Sequence, residues 1–428
     1  MRRRPHRARF VPLTAASAVT ALALAACGST SASTTSSTTS AKPITVGISL
    51  PLTGDFAADG QATRNGYELW ASDVNTHGGL LGRPVHLVIR NDKSNEKTVT
   101  SDYNVLISQD HVDLTLAPFS TLLTSDALVP TSKHGYALPA GSATGGLVFG
   151  ATGGPTYRNL FSVSVPAANV MEPFAQWVIH QLPGGEKGTA AYPEVDDPFA
   201  DPPVTTTMNL LHTAGVKTVY QNSQHPANPA SRKQIQAAAN QVTSQRPDIV
   251  VIGSVDLPSL LIFVHTFQSA HYTPKVMIAA SGPDQGQAFI STLNPINAQA
   301  IMVPDAWSGT TQNALSHVMV QDYIAKFGGT ASDINADVAE AYSAGEVLAD
   351  AVTATHGTSN SKIIAYLHSG VRLATVQGPV QFTKIGQNTA QTGFIYQWQA
   401  GSFTQVLPAN ALGSSPIVAT KPQWGQSG

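Results

Sequence analysis

Ser94-Asn95-Glu96-Lys97 has the Ser-x-x-Lys spacing of a nucleophile with a nearby amine base. The companion motifs of such an acyl-transfer centre are missing, and the tetrapeptide opens a predicted helix whose first residues should be polar in any case. No Gly-x-Ser-x-Gly elbow and no Gly-x-x-x-x-Gly-Lys phosphate loop occurs, and GGEKGT at 184–189 reads as a turn before a strand. The 13 His are scattered, with no His-x-x-x-His pair beside a carboxylate, so a zinc site has no basis. His134 and His265 fall in helical patterns as surface or packing residues. The expectation is a chain that is not an enzyme and carries no metal or cofactor.

One more residue type has chemistry to offer. Cys27 is the only Cys in 428 residues, which excludes disulfides and a thiolate metal site. It follows an Arg-rich start, MRRRPHRARF, and a run of small and apolar residues from Val11 to Ala25, the layout of a secretory signal and too short for a comfortable membrane span. Leu24-Ala25-Ala26-Cys27 resembles a bacterial lipobox, in which cleavage precedes the Cys and its sulfur receives a diacylglycerol. The same residues also fit an ordinary signal peptide that is discarded with Cys27. On the lipobox reading, residues 1–26 are the signal and residues 27–42 are the lipidated Cys and a Ser/Thr-rich tether that cannot bury a core. Export would follow the general secretory route, leaving the protein held by lipid on the outer face of the cytoplasmic membrane. Removing the signal takes away five Arg and no acid, moving the formal charge from −2 to about −7, which argues against a nucleic-acid partner.

The elements that must position any further chemistry follow from the patterning. From Ile44 onward, short β-rich runs alternate with amphipathic segments, as in parallel α/β sheets. Strands are predicted at 44–50, 85–91, 112–118, 135–140 and 160–165, then in a second series at 188–194, 217–221, 248–254, 275–280 and 300–304. In the first predicted helix Tyr67, Trp70 and Val74 share a face, Arg64, Glu68 and Asp73 fall elsewhere, and Gly78-Gly79 ends the helix. Two long helical patterns at 311–328 and 337–354 have no strand between them; a short helix near 360–368 precedes closing strands at 378–384 and 393–399. The fold class expected is α/β, two doubly wound parallel-sheet lobes joined by a multi-strand hinge. The boundaries read as 43–165 plus 305–385 for lobe 1, 166–304 plus 386–410 for lobe 2, and 411–428 for a C-terminal tail.

The opening PLTGDFAADG and the later NTHGGLLGRPVHLVIRNDKSN carry a family likeness. A Pro-x-Thr-Gly turn, a Gly before the first helix, a Gly-Gly break and a small-Gly-Arg turn into strand two resemble the leucine/isoleucine/valine-binding family, the type I periplasmic-type receptors of ABC importers. The likeness runs from Ile44 to about Val406. It implies that the ligand sits beyond the carboxyl ends of the strands, where helix N-termini offer N–H groups and partial positive charge. APFSTLLTSD and PAGSATGG would clasp an amino acid's carboxylate and amine, with Ser120, Thr121, Ser142 and Thr144 as donors; the same hydroxyls could serve only as helix N-caps. In the second lobe Phe199 stands where the family has an aromatic residue followed by Gly, though the Gly is absent. An acid is needed beside the ligand ammonium, and Asp256 and Asp284 are the candidates, displaced from the family position. Asp59 and Trp307 lie at cleft-facing or hinge-adjacent ends.

The function implied is a monomeric solute receptor whose partners are a small-molecule ligand, a permease and its ATPase subunits, and the membrane through its lipid. Branched-chain amino acids lead the solutes, followed by other amino acids, amides or small carboxylates. A sensor of the same fold and a cell-surface hydrolase are the other readings. The first lacks a fused signalling domain, and the second lacks a nucleophile and base.

Overall fold

The computed structural model of the chain describes residues 42–150, 156–181, 188–195, 197–221, 231–309, 311 and 313–426. The signal segment, Cys27 and nearly all of the tether lie outside the described residues.

The first sheet forms from β1 (Ile44–Leu50), α1 (Ala57–Thr76), β2 (Val85–Asn91), α2 (Glu96–Ser108), β3 (Leu114–Thr115), α3 (Thr121–Lys133), β4 (Leu138–Ala140) and β5 (Leu160–Ser162). Its strands run parallel in the order β2-β1-β3, and β4 pairs in parallel with β5. The Ala117 N–H donates to Pro139 O, carrying the hydrogen bonding from the β3 end to β4. The segments predicted at 112–118 and 135–140 shorten to these few residues, although Leu116 N–H beyond the end of β3 still donates to Gly47 O of β1.

The chain then passes to a second sheet through α4 (Ala167–Val170) and α5 (Glu172–Gln181). There follow β6 (Thr189–Tyr192), α6 (Asp201–Thr213), β7 (Lys217–Gln221), α7 (Arg232–Gln245), β8 (Ile249–Ile252), α8 (Leu257–Ser269), β9 (Val276–Ala279), α9 (Gly286–Ala298) and β10 (Ile301–Asp305). From there it returns to the first lobe as α10 (Ala314–Phe327), α11 (Ala336–Thr355), α12 (Asn360–Leu367) and the antiparallel pair β11 (Leu373–Thr375) and β12 (Gly378–Val380). A third passage brings β13 (Phe394–Gln399) and β14 (Ser402–Leu407) to the second sheet, whose order is β14-β13-β10-β9-β8-β6-β7. The strands β6 to β10 are parallel and the β13–β14 hairpin is an antiparallel edge. Neither β11 nor β14 stands out in the sequence: β11 is three residues long, and β14 (SFTQVL) follows β13 across one tight turn with no helical spacer to announce it.

Both faces of each sheet are covered, which is why the central strands read as unbroken apolar runs. In β8, Val250 and Ile252 face the cluster under α7, α8 and α9, while Ile249 and Val251 face the cluster under α5 and α6. In β1, Ile44, Val46, Ile48 and Leu50 join the core of α1, α11 and α12. The expected face of α1 holds, with Tyr67 and Trp70 buried and Val74 packed at the margin. The close approach of α1 and α11 depends on Gly66: a Cβ there would lie 2.3 Å from Val338 O.

Residues 411–426 are not a free tail. Gln397 and Val418 exchange two hydrogen bonds, Val418 N–H to Gln397 Oε1 at 2.8 Å and Gln397 Nε2 to Val418 O at 3.0 Å. The Lys421 ammonium, itself buried, donates to Asn297 O and Gln299 O at the end of α9, each at 2.9 Å.

Candidate functional site

The carboxyl ends of both sheets face one cavity of about 880 Å³, its opening to solvent included. The loop after β3 brings Phe119 and Ser120 to it, the loop after β4 Ser142 and Thr144, and the end of β5 Ser164. From the second lobe come Asp197 and Phe199 after β6, Ser281 and Asp284 after β9, and Asp305 at the end of β10. The first turns of α1 and α11 complete the wall with Phe56, Asp59, Asp337 and Glu340. A crevice beyond the strand ends is where open α/β sheets place ligands.

The first-lobe loops are built by hydroxyl-to-backbone bonds. Ser120 adopts φ 73°, a region costly for a residue with a side chain, and its Oγ caps α3 by accepting from Leu123 N. Its own N–H donates to Ser142 Oγ at 2.8 Å. Thr121 is fully buried, and its Oγ1 accepts from the N–H groups of Thr144 and Gly145 at 3.2 and 2.9 Å. Its expected role as a ligand donor is therefore corrected: the hydroxyl is occupied in tying the two loops together, and Thr121 does not line the cavity. Thr144 does line it, and its buried hydroxyl has no hydrogen-bond partner among the described residues. The two lobes meet at Gly145, where a Cβ would lie 2.1 Å from Pro198 O.

Among the described residues six carboxylates line the cavity: Asp59, Asp197, Asp284, Asp305, Asp337 and Glu340. No described Lys, Arg or His lines it. Asp59 Oδ1 accepts from Gln285 Nε2 at 2.7 Å, a bond from α1 of one lobe to the loop after β9 of the other. Burial first, and then the charge of Asp284, pushes Asp59 up to about 7. Burial likewise lifts Glu340 to about 7, although Ser164 donates to its Oε1 at 2.8 Å. Asp284 and Asp197 rise to about 6, each held back by a backbone N–H that it accepts, from Gly282 and Phe199 respectively. Asp305 and Asp337 are lifted well above the usual carboxylate range by burial and then by neighbouring acids, Asp284 first for Asp305 and Asp59 first for Asp337.

Of the residues singled out from the sequence, Asp59, Ser120, Ser142, Thr144, Phe199 and Asp284 come together here. Asp256 and Trp307 do not line the cavity. The Asp256 carboxylate caps α8, accepting from Ser259 N at 2.7 Å, and only its charge reaches Asp59 and Asp197. Trp307 is fully buried against α1, α10 and α11, its indole N–H donating to Ser316 Oγ at 2.8 Å. Cys27 lies outside the described residues. Sequence reasoning missed Asp197, Asp305, Asp337 and Glu340. The signal for Asp305 was available, since a carboxylate at the last residue of a predicted strand in an α/β sheet points to the ligand end.

A family model described as periplasmic binding protein matches residues 43–402. The chain is 24% identical over 386 residues to the Leu/Ile/Val-binding protein BraC3 of Rhizobium johnstonii, covering 84% of this chain and 92% of that protein. Among solved structures it is similar to the branched-chain amino acid transporter substrate binding protein LivJ of Streptococcus pneumoniae in complex with isoleucine, with a TM-score of 0.70 at 18% identity, covering 85% of this chain and 98% of the other. A solute binding protein of an ABC transporter from R. palustris, in complex with benzoate, also gives a TM-score of 0.70, at 16% identity over 85% of this chain and 95% of that one. At these identities the structural likeness speaks for the two-lobed fold.

Proposed function

The chain belongs to the periplasmic binding protein family, and from that premise we propose that it is an extracytoplasmic substrate-binding lipoprotein of an ABC importer, which captures a small polar solute by closing two lobes over it. Release to a permease and its ATPase subunits completes the cycle, and the solute leaves unaltered. Relatives that bind isoleucine or are named for leucine, isoleucine and valine put amino acids, branched-chain ones first, at the head of the solutes to try. The observation that carries the reading is the Asp59–Gln285 bond across a cavity walled by strand ends of both lobes. Contacts of this kind exist only when the lobes are together, so a ligand that adds further cross-cleft bonds favours closure by its differential affinity.

The mature chain, screened by thermal shift against amino acids, amines, amides and small carboxylates, should gain stability with one chemical class. A ligand at about 100 times its Kd adds about 2.7 kcal/mol. Small-angle scattering should show contraction with the same compound, and a hit that leaves the radius of gyration unchanged contradicts lobe closure. For the anchor, Cys27→Ala should move the protein from the membrane fraction to the soluble one. Equal membrane retention of both forms would remove the lipid from the proposal.

A further inference from the structure

Among the described residues the cavity's lining carries six acids and no base, and several of its hydrogen-bond donors are already committed. Ser164 donates to Glu340, Gln285 to Asp59, and Ser281 leans on Asp284 at 3.4 Å. Ser120 and Ser142 accept from backbone N–H groups, which fixes their oxygens and leaves their hydroxyl hydrogens to donate. What remains unfilled is mostly acceptor capacity on the carboxylates, together with the hydroxyl hydrogens of Ser120 and Ser142 and the unpartnered hydroxyl of Thr144. A solute that fills this site must bring N–H donors, and a carboxylate on it would meet acids with no cationic side chain to offset them. Phe56, Phe119 and Phe199 line the same space, and the faces of such rings attract cations.

We propose that the solute is a small organic cation, carrying more ammonium than carboxylate charge, with its ammonium seated among Asp59, Asp284, Asp305, Asp337 and Glu340. The proposal rests on the reading of this cleft as the solute site. The charge is organic because no three of the described His, Cys, Asp or Glu converge closely enough to ligate a metal ion. Mutual repulsion among the acids in the empty cleft acts in the same direction: the raised carboxyl groups hold protons that an arriving cation displaces.

The test uses the mature protein and probes that vary in charge. 4-Methylpentanoate, L-leucine and L-leucinamide share one carbon skeleton as anion, zwitterion and cation; 1,4-diaminobutane and choline extend the cations, and calcium chloride is the inorganic arm. Thermal shift and calorimetry near neutral pH should give hits among the organic cations, with leucinamide bound about tenfold or more tighter than leucine. Asp337→Asn should weaken cation binding by about tenfold or more while leaving the melting temperature of the empty protein equal or higher, which loss of a merely structural carboxylate would not do. If that variant does not fold, Glu340→Gln serves the same comparison. Leucine or the anion binding more tightly than leucinamide overturns the charge assignment and leaves the receptor reading intact. Calcium matching the organic cations overturns the organic assignment. No shift with any class, amino acids and carboxylates included, overturns the receptor reading and this inference with it.

Discussion

At the scale of single residues the cleft is governed by proton occupancy. Burial pushes Asp59 and Glu340 to about 7, and Asp197 and Asp284 to about 6, from ordinary values of 3.8 for Asp and 4.5 for Glu. For a carboxyl raised in the folded state, stability is fully present below the unfolded value and is lost as pH rises through the folded one. The empty protein should therefore melt at a higher temperature at about pH 5 than at about pH 8, with the decline concentrated between the ordinary carboxylate value and about 7. Glu340→Gln should flatten that decline, and a melting temperature that climbs over this window would contradict the assignment. Binding of a cation should follow the opposite trend, strengthening as pH rises, because fewer protons have to be expelled. Part of this site was legible from residue type and strand position. Asp59, Asp284, Phe199 and the hydroxyls of two loops stood where helix N-termini and strand ends had to be. Asp337 and Glu340 were not, because acids in the first turn of a helix are ordinary partners of its dipole. Only the docking of α11 against α1, a contact between segments about 270 residues apart, turns them toward a cavity.

At the scale of elements, the α1–α11 pair and the two loops on α3 set the geometry. Gly66→Ala would drive a methyl into the Val338 carbonyl, where backbone has no rotamer to yield, so about 1–3 kcal/mol of destabilisation is expected in denaturant melts. The same change should weaken ligand binding, since the displaced helix start carries Asp337 and Glu340. Thr121→Ala should act differently. It leaves the buried N–H of Gly145 without its acceptor, while Thr144 N–H keeps Ser142 O at 3.1 Å. Losing a buried acceptor of this kind costs about 1–3 kcal/mol. Thr121→Ser, which keeps the oxygen, should restore most of the stability and the affinity. Failure of Ser to rescue would mean that the methyl group, not the hydroxyl, is what the loops need. The helices and the central strands were readable from period and length, as the agreement at α1, α10, α11 and β8 illustrates. The short strands were not, because two or three residues of pairing leave no period to detect.

At the scale of the whole molecule, the alternation of strands and helices announced two α/β sheets, and the run of helices after β10 announced a return to the first. The antiparallel β13–β14 edge and the seating of residues 411–426 were hidden, since they depend on a hairpin turn and on long-range capping by Lys421. Burial brings the Lys421 amine down to about 7, so the segment's hold on α9 is itself sensitive to pH. A folded-state value below the ordinary 10.5 means that stability is present when the amine is neutral and is diminished by protonation. Lys421→Met should test this: it keeps the buried stem and removes the titrating group, so the variant should lose less stability than wild type on going from about pH 8.5 to about pH 6.

The passage of the chain between the sheets three times has a practical outcome. Each half is assembled from separated stretches of sequence, and the first and third passages are stitched together where Ser162 N–H donates to Gly386 O and Asn388 Nδ2 donates to Val163 O at 2.7 Å. A protease that nicks one passage should leave a particle that migrates intact on a native gel and falls into fragments only in detergent, and neither half can be cloned as one contiguous piece.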